Sequence, residues 1–328
     1  VEFELGFDIM RTKDFSWDTD LNFSTNKNKV KSLAGGVALV GYGQWTDVVT
    51  RSAEGDELYA FYGYKTDGVY TSFEDLISSP VDMRSNSNPV VTNADGTKSW
   101  STNPGDYNPK TTTYIGDVKF VDVNGDGIID ENDKTKIGSA MPKWTFGWNN
   151  TFRYKNLDLT VFVNGSIGNK VGNYMKMKLT HMNSPWQNQL VDCGNHALLA
   201  PKNGQAVDNW YYDASNVIVT NPDCAYPRAS INDPSDNDVW SDRFIEDGSY
   251  LRLKSITLGY TFDKQLIKKL GLTNLRLTLN ATNLLTITGY DGYDPEIGAS
   301  TASQNVYGLD NGRYPAPTSF TFGLNVSF

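Results

Sequence analysis

The chain has 328 residues, a formal net charge of −9 and a pI near 4.8. That charge excludes nucleic acid as the main partner, because neutralising phosphates needs a basic surface, and no basic amphipathic stretch is present to sit on an anionic membrane. Mean hydropathy is −0.45, and no apolar run approaches the roughly 18 residues of a membrane helix; helical spans are excluded, whereas a membrane β-barrel, whose strands alternate, is not.

In chain order, the first predicted elements are two alternating ribbons. Val1, Phe3, Leu5, Phe7 and Ile9 alternate with Glu2, Glu4, Gly6 and Asp8. Val1 therefore opens inside a strand, with no initiator Met or signal-like apolar region, which implies a removed targeting segment or a piece of a longer chain. Phe15, Trp17, Leu21 and Phe23 alternate with Ser16, Asp18, Asp20, Asn22 and Ser24. A weaker strand is expected over 57–69, and Thr71 to Leu76 reads as the capped start of a short helix.

Next comes Asp122-Val123-Asn124-Gly125-Asp126-Gly127-Ile128-Ile129-Asp130-Glu131-Asn132-Asp133, which has the oxygen spacing of a calcium loop. Asp122, Asn124, Asp126 and Asp133 are the expected side-chain ligands, Ile128 offers its carbonyl, and Asp130 acts through water. The competing reading is a solvated Asx/Gly turn. Residues 118–121 read as strand, so this is not a helix–loop–helix unit.

Ribbons of about ten residues then resume. Trp144, Phe146, Trp148, Phe152 and Tyr154 share one face; Leu157, Leu159, Val161, Val163 and Ile167 share the next. Ile256, Leu258, Tyr260 and Phe262 line one side of 250–262, followed by Leu275, Leu277, Leu279 and Ala281, and finally Phe320, Phe322, Leu324, Val326 and Phe328. Asn-x-Ser/Thr triplets at Asn22, Asn149, Asn164, Asn280 and Asn325 mark polar rows, because a spacing of two keeps both residues on one strand face.

Two architectures fit. One is a soluble sandwich with its apolar faces inside, for example a glycan-binding domain. The other is a membrane barrel with apolar faces on lipid and polar faces on a wet lumen. Ribbon length, aromatics near strand ends (Trp144 with Tyr154, Tyr250 with Tyr260 and Phe262), and connections that alternate between very short (11–14, 155–156) and very long (170–248, 287–315) favour the barrel.

The 182–248 segment concentrates Trp186, Trp210, Tyr211, Tyr212, Tyr226 and Trp240, candidates for stacking on sugars or contacting a peptide, against the plainer reading of loop packing. Cys193 and Cys224 lie in the same segment; in an oxidising exterior a disulfide between them is expected, worth roughly 3–4 kcal/mol. Catalysis is not expected. His181 and His196 have no spaced metal partner, and no GxSxG, Walker or GxGxxG motif occurs.

Several stretches together resemble one family. They are Phe61-Tyr62-Gly63-Tyr64-Lys65-Thr66-Asp67-Gly68, Gly116-Asp117-Val118-Lys119-Phe120 through Asp130, Ile137-Gly138, Pro142-Lys143-Trp144, and Ser241-Asp242-Arg243-Phe244-Ile245-Glu246-Asp247-Gly248 through Lys254. Thr282-Asn283-Leu284-Leu285-Thr286, Tyr290-Asp291-Gly292-Tyr293-Asp294-Pro295-Glu296 and the run from Pro315 to Phe328 complete the set. In this order they resemble the SusC/RagA family of TonB-dependent outer-membrane transporters. The resemblance implies an all-β fold: an integral, transmembrane antiparallel barrel of about 22 strands with long extracellular loops. Residues 1–328 correspond to its C-terminal part, about eight strands, without the plug domain and N-terminal strands. It also implies TonB-energised import of oligosaccharides or peptides across the bacterial outer membrane, a SusD-like surface lipoprotein as partner, and no chemical change of the substrate. A passive or structural barrel is the alternative within the membrane class.

Overall fold

The computed structural model describes residues 1–44, 47–298 and 305–328. Seven long strands form one antiparallel meander: β1 (Glu2–Arg11), β2 (Phe15–Ser24), β3 (Trp144–Tyr154), β4 (Leu157–Ile167), β5 (Tyr250–Thr261), β6 (Asn274–Thr288) and β7 (Ser319–Ser327). They pair strictly in sequence order. Among the described residues, no helix is long and apolar enough to cross a membrane.

Register keeps the two faces separate across the sheet. Phe152 lies opposite Trp17 and Leu159, Leu159 opposite Leu258, Leu258 opposite Leu279, and Leu279 opposite Phe322. The neighbouring row runs Asp18, Thr151, Thr160, Thr257, Asn280 and Thr321. A slip of one residue would exchange the faces, so the pattern itself fixes the pairing. Polar side chains on the apolar face are masked by indoles: Trp17 Nε1 donates to Asn150 Oδ1 at 3.1 Å, and Trp148 Nε1 donates to Thr19 Oγ1 at 2.8 Å.

No described residue covers the apolar face. Phe320, Phe322 and Leu324 are 71%, 69% and 60% exposed. Among the described residues, Ala281 is the one apolar side chain from the seven strands that is buried. A sandwich would bury this face against a second layer; the described residues supply none.

Strand direction sends the three longest connections (25–143, 168–249 and 289–318) to one end of the sheet. The opposite end has the short turns and the 262–273 link with its helix Lys264–Ile267. The long excursions pack together and hold the core. One cluster gathers Tyr70, Leu76, Trp100, Tyr114, Ile115, Ala214 and Val217; another gathers Val49, Phe61, Tyr174, Met177, Trp240 and Phe244. Helix α1 (Phe73–Ser78) buries Phe73 and Leu76, with Ser72 as its cap: the Asp75 N–H donates to Ser72 Oγ at 3.2 Å. Helix α2 (Tyr174–Leu179) begins the second excursion, capped by Asn173.

Three expectations change. The meander has seven long strands rather than about eight, because the segment expected as a strand over 57–69 divides. Ala60–Gly63 and Thr66–Val69 join two separate small sheets of the loop body, and Tyr64 between them is buried. Strand β6 runs to Thr288, and Asn283 within it takes a left-handed φ of 53°. Tyr250 does not join an aromatic rim. A register shift between Leu253 and Ser255 reverses facing, so Tyr250 and Arg252 turn to the polar side. Of the expected long connection 287–315, residues 299–304 lie outside the described residues.

Candidate functional site

The polar face of the sheet is laced by charge pairs. Arg276 Nη1 and Nη2 donate to the two carboxylate oxygens of Asp158 at 2.6 and 2.7 Å, a two-pronged pair across β4 and β6. Arg153 and Arg11 both meet Asp18. Two of the asparagines from the Asn-x-Ser/Thr triplets, Asn149 and Asn280, stand in the same rows.

Where this face meets the loop body, an open cavity of about 680 Å³ is lined by Thr145, Ser166, Tyr250, Glu296, Arg313 and Tyr314 among others. Its anchor is Arg252, almost fully buried. The guanidinium donates to Asp294 Oδ1 at 2.5 Å, to Glu296 Oε2 at 2.7 Å and to Thr286 Oγ1 at 2.9 Å. Burial alone would raise the Asp294 pKa. The N–H groups of Glu296 and Ala316 together with Arg252 outweigh it and hold the carboxyl below its usual 3.8. Nearby, Tyr290 Oη donates to Asp310 Oδ2 at 2.6 Å, and burial beside that carboxylate pushes the phenol upward. The cavity is wide, wet and polar on one side, suited to hold a solute by several weak contacts.

The six aromatic candidates separate. Trp240 is 2% exposed and sits between Phe61, Tyr174 and Phe244, with Nε1 donating to the Val49 carbonyl at 3.2 Å. Tyr226 is also buried. Both are core residues rather than ligand contacts, a correction that composition alone could not foresee. Trp210, Tyr211 and Tyr212 form one short helical turn. Trp210 and Tyr211 line a second, mostly apolar cavity of about 590 Å³ with Lys110, Leu199 and Ile231. Trp186 stands alone, 92% exposed.

The cysteines are both free thiols, which corrects the expected disulfide. Cys193 Sγ faces the Leu179 carbonyl at 3.8 Å, whereas Cys224 packs on the edge of the first core cluster, so each side chain is committed elsewhere.

The 122–133 loop is closed by its own amides. Asp122 accepts the N–H of Gly125 at 2.6 Å and of Gly127 at 2.8 Å; Asn124 accepts from Asp126 N, and Asp126 from Ile128 N. Gly125 and Gly127 have φ of 78° and 85°, where a side chain would be strained. Asp130 and Asp133 form a capping box at the following turn. Asp133 is buried, accepting the N–H of Val123 at 2.9 Å and of Asp130 at 2.7 Å. Asp126 and Asn124 are exposed and Asp122 and Asp130 half-buried, so of the predicted side-chain ligands only Asp133 is closed off from solvent.

Sequence reasoning missed Glu296 and Arg313 as cavity groups, Arg252 as the buried partner of Asp294 and Glu296, and the acidic neighbours of His181. His196 is structural: its Nδ1 lies 2.9 Å from the Cys193 carbonyl. The Asp-Pro-Glu run at 294–296 was the one visible signal for the cavity.

No protein-family model matches the chain. Individual proteins do. TonB-dependent receptor P3 of Formosa agariphila is 32% identical over 340 residues, an alignment covering 100% of this chain and 28% of that protein. TonB-dependent receptor SusC of Bacteroides thetaiotaomicron is 24% identical over 334 residues, covering 100% of this chain and 26% of SusC. Over its whole length the chain resembles the TonB-dependent receptors of the SusC type. Among solved structures, a chain of the RagAB peptide importer in the open-open state matches with a TM-score of 0.60 at 19% identity, covering 100% of this chain and 28% of that chain. The fold is therefore that of part of a RagAB chain. This SusC-like chain spans a little over a quarter of the length of those relatives. They carry the names of receptors and of a peptide importer, not of enzymes.

Proposed function

We propose that residues 1–328 form the C-terminal wall and loops of an outer-membrane β-barrel that imports a nutrient, with energy delivered through TonB. The single observation that supports this most is the uncovered apolar face of a seven-stranded sheet whose other face is a continuous polar row. Hydrocarbon is the solvent that suits the first face, and a water-filled lumen suits the second. Strands β1 and β7 leave their outer edges unpaired, which in lipid costs several kcal/mol per group. Closure therefore needs further strands, and a barrel of about 22 in total leaves room for a plug and a solute path.

In this reading the loop body faces outward and meets a SusD-like lipoprotein that closes over captured substrate. The substrate is an oligosaccharide or a peptide, held in the cavity between Glu296, Arg313, Tyr314 and the sheet. The chain does no chemistry on it. The 122–133 loop takes calcium weakly, through Asp122, Asn124 and Asp126.

The test is uptake. In cells expressing the full-length protein that carries this chain, accumulation of labelled oligopeptide or oligosaccharide is expected to fall to background when TonB is removed. Accumulation that persists unchanged without TonB would leave only a passive barrel.

A further inference from the structure

Two stretches of the loop body, more than fifty positions apart in sequence, meet at one small chamber. The segment following α2 contributes His181, two residues beyond the helix, and the turn before Trp240 contributes Asp233 and Asp238. The chamber holds about 20 Å³, room for one water or one ion. His181 Nδ1 lies 2.8 Å from Asp238 Oδ2. The other ring nitrogen, Nε2, is sealed from solvent and has no hydrogen-bond partner. One ligand atom from each of His181, Asp233 and Asp238 lies within 4.8 Å of the other two.

An imidazole and two carboxylates are a donor set that metal ions use; here the 2.8 Å approach of Nδ1 to Asp238 is a hydrogen-bond contact that an ion would replace. Ions that take nitrogen and oxygen ligands at roughly 2.0–2.2 Å in a tetrahedron hold those ligands about 3.3–3.6 Å apart. The triangle here closes on such an ion with small side-chain movements. Asp233 is already aimed: it accepts the Asn237 N–H at 3.1 and 3.0 Å and Asn237 Nδ2 at 2.6 Å, the outer contacts that orient a metal-binding carboxylate. Arg243 and Lys178 lie close enough to act on these carboxylates, and the neighbouring arginines also have partners elsewhere. Arg228 pairs with Asp117 at 2.7 Å, Arg84 with Asp82 at 2.6 Å, and Arg243 donates to the Asn237 carbonyl at 2.9 Å.

We propose that His181, Asp233 and Asp238 bind one divalent transition-metal ion of the zinc class, with water completing the coordination. The imidazole selects against calcium and magnesium, which take all-oxygen shells. The ion staples the segment after α2 to the 233–238 turn and so fixes the loop body's outer surface. This inference does not depend on the transport reading, because it concerns the fold of the loops alone.

The experiment uses the full-length polypeptide carrying this chain, purified in detergent and stripped with chelator, then titrated with Zn²⁺ alone and separately with Co²⁺. One equivalent of zinc is expected to bind and raise the melting midpoint, and cobalt to give a ligand-field spectrum of mixed nitrogen and oxygen coordination. His181→Ala and Asp238→Asn are each expected to weaken zinc by on the order of 100-fold, whereas His196→Ala leaves it unchanged. Because a variant can fail to fold, the wild-type cobalt spectrum is decisive by itself. Absence of that spectrum with no zinc binding at micromolar concentration overturns the proposal. So does zinc binding that survives both variants, or zinc readily displaced by equimolar Ca²⁺.

Discussion

The sheet and the loop body come from one chain but are held together by different means. The loop body is built like a soluble protein: Tyr114, Phe61, Leu76 and Ile129 are fully buried, and polar groups such as Asp117 are tied by Arg228, Ser235 and Asn237. The sheet has no such core. Its cohesion comes from long ladders of backbone hydrogen bonds, interrupted by a few register shifts, and from cross-strand pairs such as Phe23 with Trp144, ring centres 4.8 Å apart. The difference teaches that a strand ribbon carrying its own apolar outer face needs no second protein layer when its solvent is hydrocarbon, whereas the parts exposed to water must make a core from their own loops.

That contrast is broken most directly by paired substitutions. Trp240→Ala is expected to cost about 3–5 kcal/mol, because it empties the second core cluster. Leu279→Lys, placed in the middle of the apolar row, is expected to cost about 2–4 kcal/mol in a bilayer. At an exposed position in water the same change would fall within about 0.5 kcal/mol. Denaturant unfolding from lipid vesicles measures both. A near-neutral Leu279→Lys would mean that this face does not meet lipid.

A smaller effect is expected at the junction of the two regions. Asp294→Asn removes one of the two carboxylates on buried Arg252 while Glu296 stays, so the loss is about 1–3 kcal/mol, concentrated in residues 289–298. The pH dependence has a definite sign. The folded carboxyl is held below 3.8, so its contribution is complete above about pH 4 and is lost as pH falls through the lower folded value. Protection from hydrogen exchange at 289–298, taken relative to the unstructured-chain rate at each pH, should therefore fall in acid in the native protein and respond less in Asp294→Asn. Equal acid responses in the two would place the linkage elsewhere.

How much of this was legible in the sequence follows the same division. The seven ribbons were readable because period-two alternation survives wherever one face is apolar and the other wet, and short turns such as 155–156 mark where they end. The loop body was not readable. Strand Ala60–Gly63 has three of its four residues buried, so no alternation betrays it. Trp240 and Trp186 look alike in composition, yet one is core and the other stands in solvent. Tyr250 was assigned to the wrong face because a bulge near Lys254 reverses parity without any sequence marker. His181 with Asp233 and Asp238, and Arg252 with Asp294 and Glu296, are brought together by long excursions, and local spacing carries no trace of that.

The smallest expected effect concerns the 122–133 loop, where sequence and structure meet most closely. The spacing of Asp122, Asn124 and Asp126 is that of a calcium loop, yet each side chain already stabilises the turn by accepting a backbone N–H. A carboxylate oxygen has two lone pairs, so those bonds leave acceptor capacity for an ion. With Asp133 buried in a capping box, the ion would have few protein ligands and affinity near the weak, about millimolar end of the range for extracellular sites. Calcium at ten times such a Kd adds about 1.4 kcal/mol to a state that binds it. The expected outcome is a modest slowing of amide exchange at Gly125, Gly127 and Ile128 on adding calcium, removed by Asp126→Asn and absent at Ile129, which the parallel pairing with Asp82 already secures. Exchange unaffected by calcium would mean that the Asx turns alone account for the motif.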